Sequence, residues 1–419
     1  MDDTGQVRAQ ATAPALSPRE ADERLALMRA YPHSFDLRER ARKLMPNFAF
    51  EYADGGAGMD GNIKSNWAAL DSVQLVPRYG KVVAPPPADC TIFGRHYSAP
   101  VGIAPIGGPG TAYPGAETYF AKAAQAAKVP YALGVLSGIS VEDAAKIAPD
   151  VLWYQLYRFS KNDHKIGLDL VDRAARAGVH ALILTIDTPA RTVRSREVKS
   201  GIMNPFKLTM RLRLDAMTSP RWLSSLAKNG IPRFVSLNPY LPRQNMSLEE
   251  TAAFIRSEQG GAFTWDEVAK YRERWKGPLV LKGVLHPADA EKAVSLGVEG
   301  LFVTNHGGRQ IEALPTSIDA LPAIRAAVGK KATLFLDSGI RSGIDVARSI
   351  ACGADAAFAG KSFLWSLGAL GPKGPGHLIN VYTEDVRATL GQLGCRTVEE
   401  LHEIVVRHPG AWKREDFGA

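Results

Sequence analysis

One periodic feature limits what this chain can fold into. From Pro100 onward short apolar runs recur, each followed by a segment whose apolar residues fall three to four apart. The runs cover residues 101–107, 131–136, 151–157, 181–187, 279–284, 300–306, 333–339 and 355–361, eight in all. Runs such as Ala-Leu-Ile-Leu-Thr-Ile-Asp at 181–187 show no polar alternation, the pattern of strands covered on both faces in a parallel sheet. The segments between them, such as 286–296, have helical spacing. Strand and helix alternating eight times predicts an α/β fold, a closed (β/α)8 TIM barrel.

A length of 419 residues would admit two or three domains, but a barrel commonly absorbs about 250 or more as one unit. The spacing predicts a single barrel over 36–394, entered by a polar helix from Asp36 through Met45. Residues 1–35, rich in Ala, Asp, Arg and Glu near the start and poor in aromatics, read as a flexible N-terminal extension, and 395–419 as a C-terminal tail. The period breaks once, after the fourth run. The insertion at 188–277 therefore falls at the C-terminal face of the barrel, where active sites are built. Its middle mixes Lys207, Arg211, Arg213, Arg221, Lys228 and Arg233 with Met, Leu and Trp222. Two readings stand for it. One is an active-site lid with a solvated basic rim; the other is a peripheral membrane attachment using apolar residues and attraction to anionic lipid.

Composition excludes several classes. Cys90, Cys352 and Cys395 are too few and too scattered for a disulfide framework or a metal site, which points to a reducing, cytoplasmic compartment. No run of about 18 apolar residues and no charged-then-apolar leader is visible, so neither a membrane span nor a secretory signal is expected. The net charge of +8 without a basic run interleaved with aromatics argues against nucleic acid and leaves anionic ligands or a membrane surface.

Polar residues gather where the runs end. Tyr157 ends the third and Asp187 the fourth; Lys282 lies near the end of the fifth, His306 ends the sixth and Asp337 lies near the end of the seventh. A strand interior does not hold such groups easily, but strand ends facing one mouth do. The set supplies a base in His306, a carboxylate to orient it in Asp187, and cations in Lys282, Arg194 and Arg309 for an anionic substrate or cofactor. In Thr-Asn-His-Gly-Gly-Arg-Gln, 304–310, two glycines let the backbone turn sharply, and Arg309 follows the histidine by three. A base beside a guanidinium suits a substrate with a carboxylate and an acidic or hydridic C–H. A lysine at a strand end also admits Schiff-base chemistry. The last two loops, 337–343 and 359–362, bring Asp337, Gly339 and Arg341, then Gly360 and Lys361, to the position where barrels of this kind bind phosphate. No Gly-x-Gly-x-x-Gly opens a helix after a strand, and Gly353 precedes Gly360 by the wrong interval for a P-loop.

The chain resembles the FMN-dependent 2-hydroxy-acid dehydrogenases and oxidases, the family of glycolate oxidase, lactate oxidase and mandelate dehydrogenase, from about Arg40 to Gly394. Leu-Met-Pro-Asn-Phe-Ala-Phe-Glu-Tyr-Ala-Asp-Gly-Gly at 44–56 is similar to the family's N-terminal helix, which implies a substrate-binding tyrosine at Tyr52. Ile-Ala-Pro-Ile-Gly at 103–107 is similar to the first strand, implying that the backbone at Ile106 and Gly107 meets the flavin. Tyr-Gln-Leu-Tyr at 154–157 implies a flavin contact for Gln155 and a substrate-hydroxyl contact for Tyr157. Thr-Ile-Asp-Thr-Pro followed by Arg194 implies a flavin contact at Thr185, the histidine's partner at Asp187 and a substrate arginine. Leu-Lys-Gly-Val at 281–284 and the histidine segment beginning at Thr304 imply the flavin lysine Lys282 and the base with its arginine.

The resemblance thus implies an FMN enzyme, with no metal, that oxidises an L-2-hydroxy acid to the 2-keto acid. Its electron acceptor would be O2 or a quinone, and its assembly a homotetramer. Ser-Pro-Arg-Trp at 219–222 looks closest to the bacterial mandelate and lactate dehydrogenases, some of them membrane-associated, which would place the chain at the inner face of a membrane. Three positions depart from the family. Lys361 stands where an arginine is usual, Gly134 where the second strand normally offers the flavin a hydroxyl, and Arg191 where a small or apolar residue is common. Arg191 is expected to read a polar substituent on the substrate.

Overall fold

The computed structural model describes residues 17–80, 86–190, 192–202 and 209–418. Eight parallel strands close into a barrel: β1 (Val101–Ile103), β2 (Tyr131–Gly134), β3 (Leu152–Leu156), β4 (Leu182–Thr185), β5 (Leu279–Val284), β6 (Gly300–Val303), β7 (Thr333–Leu336) and β8 (Ala356–Ala359). Each pairs with its neighbour in sequence, and β8 returns to β1 through Ala357–Val101 and Ala359–Ile103. Seven of the eight are shorter than the apolar runs suggested. The lost residues at the far ends, including Gly107, Tyr157, Asp187, His306 and Gly339, stand beyond the strands in the loops of one mouth. A backbone freed from the ladder there can aim side chains inward.

The barrel interior is a packed core. Phe302 lies against Phe358 at 4.8 Å and Phe335 at 5.0 Å between ring centroids, and Trp153 against Phe335 at 5.3 Å. Gly102 accommodates this packing, because a Cβ there would fall 2.3 Å from the Phe358 ring. A hairpin, Cys90–Ile92 with Arg95–Tyr97, seals the N-terminal end. Its turn residue Phe93 packs against Trp153 and Phe335, and the Tyr97 hydroxyl accepts a bond from Trp153 Nε1 at 3.0 Å. One end is therefore closed by rings, and the opposite mouth is left to the site.

The expected polar helix forms over Ser34–Leu44 and is capped by His33 and Asp36. The extension is more ordered than its composition suggested. Residues 1–16 lie outside the described residues, but Pro18–Ala30 is a helix with a Ser17–Glu20 capping box, pinned by Arg24 to Glu384 at 2.9 Å. None of its residues is buried, so caps and ion pairs hold it, signals that hydrophobic periodicity does not report. The tail also folds back. Val405–Arg407 pairs antiparallel with Gln74–Val76, and Cys395 and Leu401 are buried.

The insertion builds helices at Ser195–Ser200, Met210–Met217, Pro220–Asn229 and Leu248–Glu258, then joins the barrel helix Trp265–Arg274. Trp222 anchors it, donating to the Ala112 carbonyl at 3.0 Å and meeting Phe48 edge-on. Lys207 and Arg191 lie outside the described residues. Among the described residues no helix is long and apolar enough to cross a membrane, and no cluster of His, Cys, Asp and Glu could hold a metal ion. All three cysteines are buried.

Candidate active site

The mouth encloses a cavity of about 880 Å3, roofed by the insertion and by the Asn47–Asp54 helix. Tyr52, Ile106, Gly107, Tyr157, Arg194, Lys282, His306, Arg309, Asp337, Gly339, Gly360 and Lys361 all line it, although they come from elements spread across the chain. Asp187 stands one layer back. Its two oxygens lie 3.0 and 3.1 Å from His306 Nδ1. A carboxylate on Nδ1 fixes the tautomer that carries its proton there and leaves Nε2 as the basic nitrogen.

The loop that holds the histidine is unusual. His306, Gly307 and Gly308 have φ of +59°, +66° and +73°, three left-handed residues in succession. Glycine adopts this freely and histidine does not, so bonds must hold the turn. The buried Asn305 supplies several: its Oδ1 accepts from Gly308 N at 3.1 Å, and its amide exchanges bonds with Asn66 at 2.8 and 2.9 Å. Thr304 Oγ1 accepts from His306 N at 3.0 Å, and Ser338 Oγ accepts from Gly307 N at 2.9 Å.

Lys282 enters from the bulged end of β5. Its Nζ donates to Asp337 at 2.5 Å and to Thr304 Oγ1 at 3.3 Å. Burial alone would raise the Asp337 carboxyl, but the Lys282 charge and bonds from Lys282, Thr304 and Ser338 outweigh it and hold the group below its ordinary range. Lys282 is thus one half of a buried ion pair, with its Nζ committed to Asp337 and Thr304, which argues against the Schiff-base reading.

Tyr157 is pushed up to about 12, first by burial and then by the charge of Asp187, so its phenol stays protonated and can donate. Arg309 Nη1 donates to the carbonyls of Tyr52 and Gly55, both at 3.0 Å, and Nη2 donates to Glu197. Of five guanidinium N–H groups, partners among the described residues leave Nε–H and one on Nη2 for a carboxylate. The Arg309 guanidinium also lies 5.2 Å from the centroid of the Tyr52 ring, whose hydroxyl donates to the Gly107 carbonyl.

Some expected residues also have partners within the protein. Gln155 Nε2 donates to Thr185 Oγ1 at 2.8 Å, so these two form a buried pair behind the cavity wall. Arg341 does not offer its charge to the cavity. Its guanidinium is spent on Asp71 at 2.7 Å and Asp345 at 2.9 Å, because both acids sit on helices packed beside that loop. Lys361 lines the cavity, but its Nζ donates to the Asp54 and Gly55 carbonyls at 3.2 and 2.5 Å. Burial, aided by the Arg309 charge, pulls its pKa well below the ordinary lysine value. Gly134 lacks room for a side chain, since a Cβ would fall 2.9 Å from the Ile106 carbonyl oxygen.

The sequence reading missed Glu197, which is buried and bonds both Arg309 and, at 3.4 Å, Arg194. Its signal was present, an acid three residues after Arg194 and hence on the same helix face. Arg196, two residues after Arg194, is spent on Glu51, Asp54 and Asp60.

The cavity suits a flavin mononucleotide. Ala104, Pro105, Ile106 and Gly107 give a wall for a flat ring, and Lys282 a cation at its edge. The Lys361–Leu370 helix starts at Gly360 with no side-chain cap, so free N–H groups and Lys361 stand where a phosphate would bind.

Residues 41–408 match the family of FMN-dependent dehydrogenases. L-lactate dehydrogenases of Caulobacter sp. and Bartonella quintana are 33% and 34% identical over 371 and 375 residues, covering 88% of this chain and 97% and 96% of theirs. Among solved structures, the monotopic membrane protein (S)-mandelate dehydrogenase superposes with a TM-score of 0.84 at 28% identity, covering 90% of this chain and 99% of its own. A mandelate oxidase does so at 0.76 and 31%, with the same coverage.

Proposed function

The chain belongs to the FMN-dependent dehydrogenases, and on that premise we propose that it oxidises an L-2-hydroxy acid of the lactate or mandelate kind to the 2-keto acid. The observation that carries this is the His306–Asp187 pair and the partly unspent guanidinium of Arg309 meeting one cavity with Tyr157. FMN, when bound, supplies the two-electron acceptor. The chain supplies the rest. Arg309 and Arg194 take the substrate carboxylate, with Tyr52 beside them, and Tyr157 donates to the substrate oxygen as charge develops there. His306 Nε2 takes the proton, and Asp187 stabilises the imidazolium that results. Lys282, held by Asp337, would help to hold the flavin and would supply a positive charge to it.

The insertion supports a peripheral membrane contact. Met210, Leu214 and Met217 stand more than half exposed on one short helix, beside Arg211 and Arg213. Exposed apolar groups among cations fit an anionic bilayer surface. Leu223, Leu226, Ile231 and Phe234 give the cavity an apolar wall on the same side, which favours a quinone as acceptor over O2. A homotetramer is the assembly proposed with it.

The test is anaerobic mixing of the holoenzyme with L- and D-2-hydroxy acids, followed by flavin absorbance. Bleaching by L-acids alone is expected, and no bleaching by any 2-hydroxy acid refutes the assignment. Admission of air, or of a short-chain quinone, then separates oxidase from dehydrogenase. Co-flotation with anionic vesicles reads the membrane contact, and light scattering reads the assembly.

A further inference from the structure

One part of the cavity is unused by the reaction just described. The Leu248–Glu258 helix shows it a stripe, Leu248, Ala252, Arg256 and then Gln259, spaced four, four and three apart. Thr251 and Ile255 are buried beside that stripe, so it lies at the edge of the helix's packed face. Arg158, which follows Tyr157 directly, closes the same region by donating to the Gly260 carbonyl, and Phe159 bridges Gln259. This part of the cavity therefore adjoins the residue proposed to hold the substrate oxygen.

Its chemistry is one-sided. Arg158 is neutralised by Glu267 at 2.7 and 2.8 Å, and Arg309 and Arg194 share Glu197. Arg256 is half-buried on the cavity wall and has no hydrogen-bond or ion-pair partner among the described residues. Beside it Gln259 Nε2 is buried with no acceptor. Among the described residues, the acids on the cavity wall are Glu197 and Asp337, both already paired. Ala252, one turn before Arg256, has too small a side chain to fill the space. A guanidinium and an amide that lack acceptors within one cavity ask for an anion to complete them.

We infer that Arg256, with Gln259, forms a subsite for a second carboxylate on the substrate, so that the preferred 2-hydroxy acids are diacids. This rests on the 2-hydroxy-acid reading and narrows its substrate class. Arg309 would hold the carboxylate next to the reacting carbon, and Arg256 the distal one.

The experiment compares length-matched pairs on the holoenzyme by anaerobic flavin reduction: L-malate with L-2-hydroxybutyrate, L-2-hydroxyglutarate with L-2-hydroxypentanoate, and L-2-hydroxyadipate with L-2-hydroxyhexanoate. At least one diacid should exceed its partner in efficiency by roughly tenfold or more, and Arg256→Gln should lower that diacid-to-monoacid ratio by a similar factor, with Arg256→Lys restoring part of it. Gln259→Glu, which adds an opposing charge, should lower the ratio as well. Monoacids preferred at every length, or a ratio unmoved in Arg256→Gln, would overturn the subsite. Calorimetric titration of the holoenzyme with glutarate, which cannot be oxidised at C2, reads binding without turnover. If no 2-hydroxy acid reduces the flavin, the functional assignment fails, while glutarate binding lost in Arg256→Gln still supports the anion site and equal binding in both proteins overturns it.

Discussion

A Cβ placed on Gly283 would fall 2.5 Å from the Cβ of Asp187 and 2.7 Å from its carboxyl carbon. Gly283 also has a φ of +113° and sits in the bulge between Lys282 and Val284. One glycine thus lets β5 deliver Lys282 to the cavity and lets β4 deliver Asp187 to His306. Gly283→Ala strains the backbone and displaces the carboxylate. Flavin reduction should slow by roughly a hundredfold or more, the cost of about 1 Å of misplacement in a catalytic group. Stopped-flow absorbance checks this, with retained yellow colour as the control for folding.

Asp187→Asn tests the same pair from the other side. An amide cannot balance an imidazolium, so reduction should slow by about 10²–10⁴-fold with little change in FMN retention. His306→Gln should stay yellow and fail to bleach under substrate. Normal bleaching in His306→Gln would remove the base from the mechanism.

Glu197 makes the Arg309 fork rigid, and the two residues should fail differently. Arg309→Lys replaces a planar fork by a point charge, so it should raise the apparent KM and also slow reduction. Glu197→Gln keeps both cations but loosens their geometry, and its larger effect should fall on KM. Initial rates over substrate concentration separate the two patterns.

Legibility followed the physics of each signal. The barrel was readable because strands covered on both faces must be apolar throughout, and the ends of the runs marked where polar groups emerge. His306, Arg309, Lys282 and Tyr157 were placed on the cavity by that rule and by motif likeness. Glu197 was not, because an acid in a basic insertion looks like a solvated charge until the fold buries it against Arg309. Arg341 read as a phosphate ligand because its partners Asp71 and Asp345 lie 270 and 4 residues away, and only packing makes both neighbours. The helix at Pro18–Ala30 escaped for the converse reason, since it buries nothing and leaves no periodic trace.

Ser338 holds a φ of +88°, a conformation suited to glycine, yet its hydroxyl reaches Gly307 N, Thr304 and Asp337 at 2.9, 3.0 and 2.9 Å. Those bonds tie the turn carrying His306 to the Lys282–Asp337 pair. Ser338→Ala keeps the strain and loses the bonds, and should destabilise the protein by about 1–3 kcal/mol. Ser338→Gly loses the same bonds but relieves the strain, so its thermal midpoint should fall less. Differential scanning fluorimetry of the two holoenzymes decides the order.

The sealed end of the barrel makes a pH prediction independent of the chemistry. His180 lies between Tyr97, whose hydroxyl is 2.9 Å from Nδ1, and the Phe93 carbonyl. Burial, helped by the nearby charge of Arg95, lowers its pKa from 6.5 to about 4. Between those values the unfolded chain binds a proton at this ring and the folded chain does not, so stability rises with pH across the window. The contribution is complete above about pH 6.5 and is lost as pH falls toward 4. Lowered carboxyls such as Asp54 and Asp337 slope the same way at the acid end of this window, where their unfolded forms titrate. Buried His377 and the more exposed His402 are lowered too and add to the slope. His180→Gln removes one titrating ring while keeping a polar group for Tyr97. The thermal midpoint of this variant should therefore fall less steeply between pH 6.5 and 4 than that of the parent chain, whereas parallel curves would mean that His180 is already protonated in the folded protein.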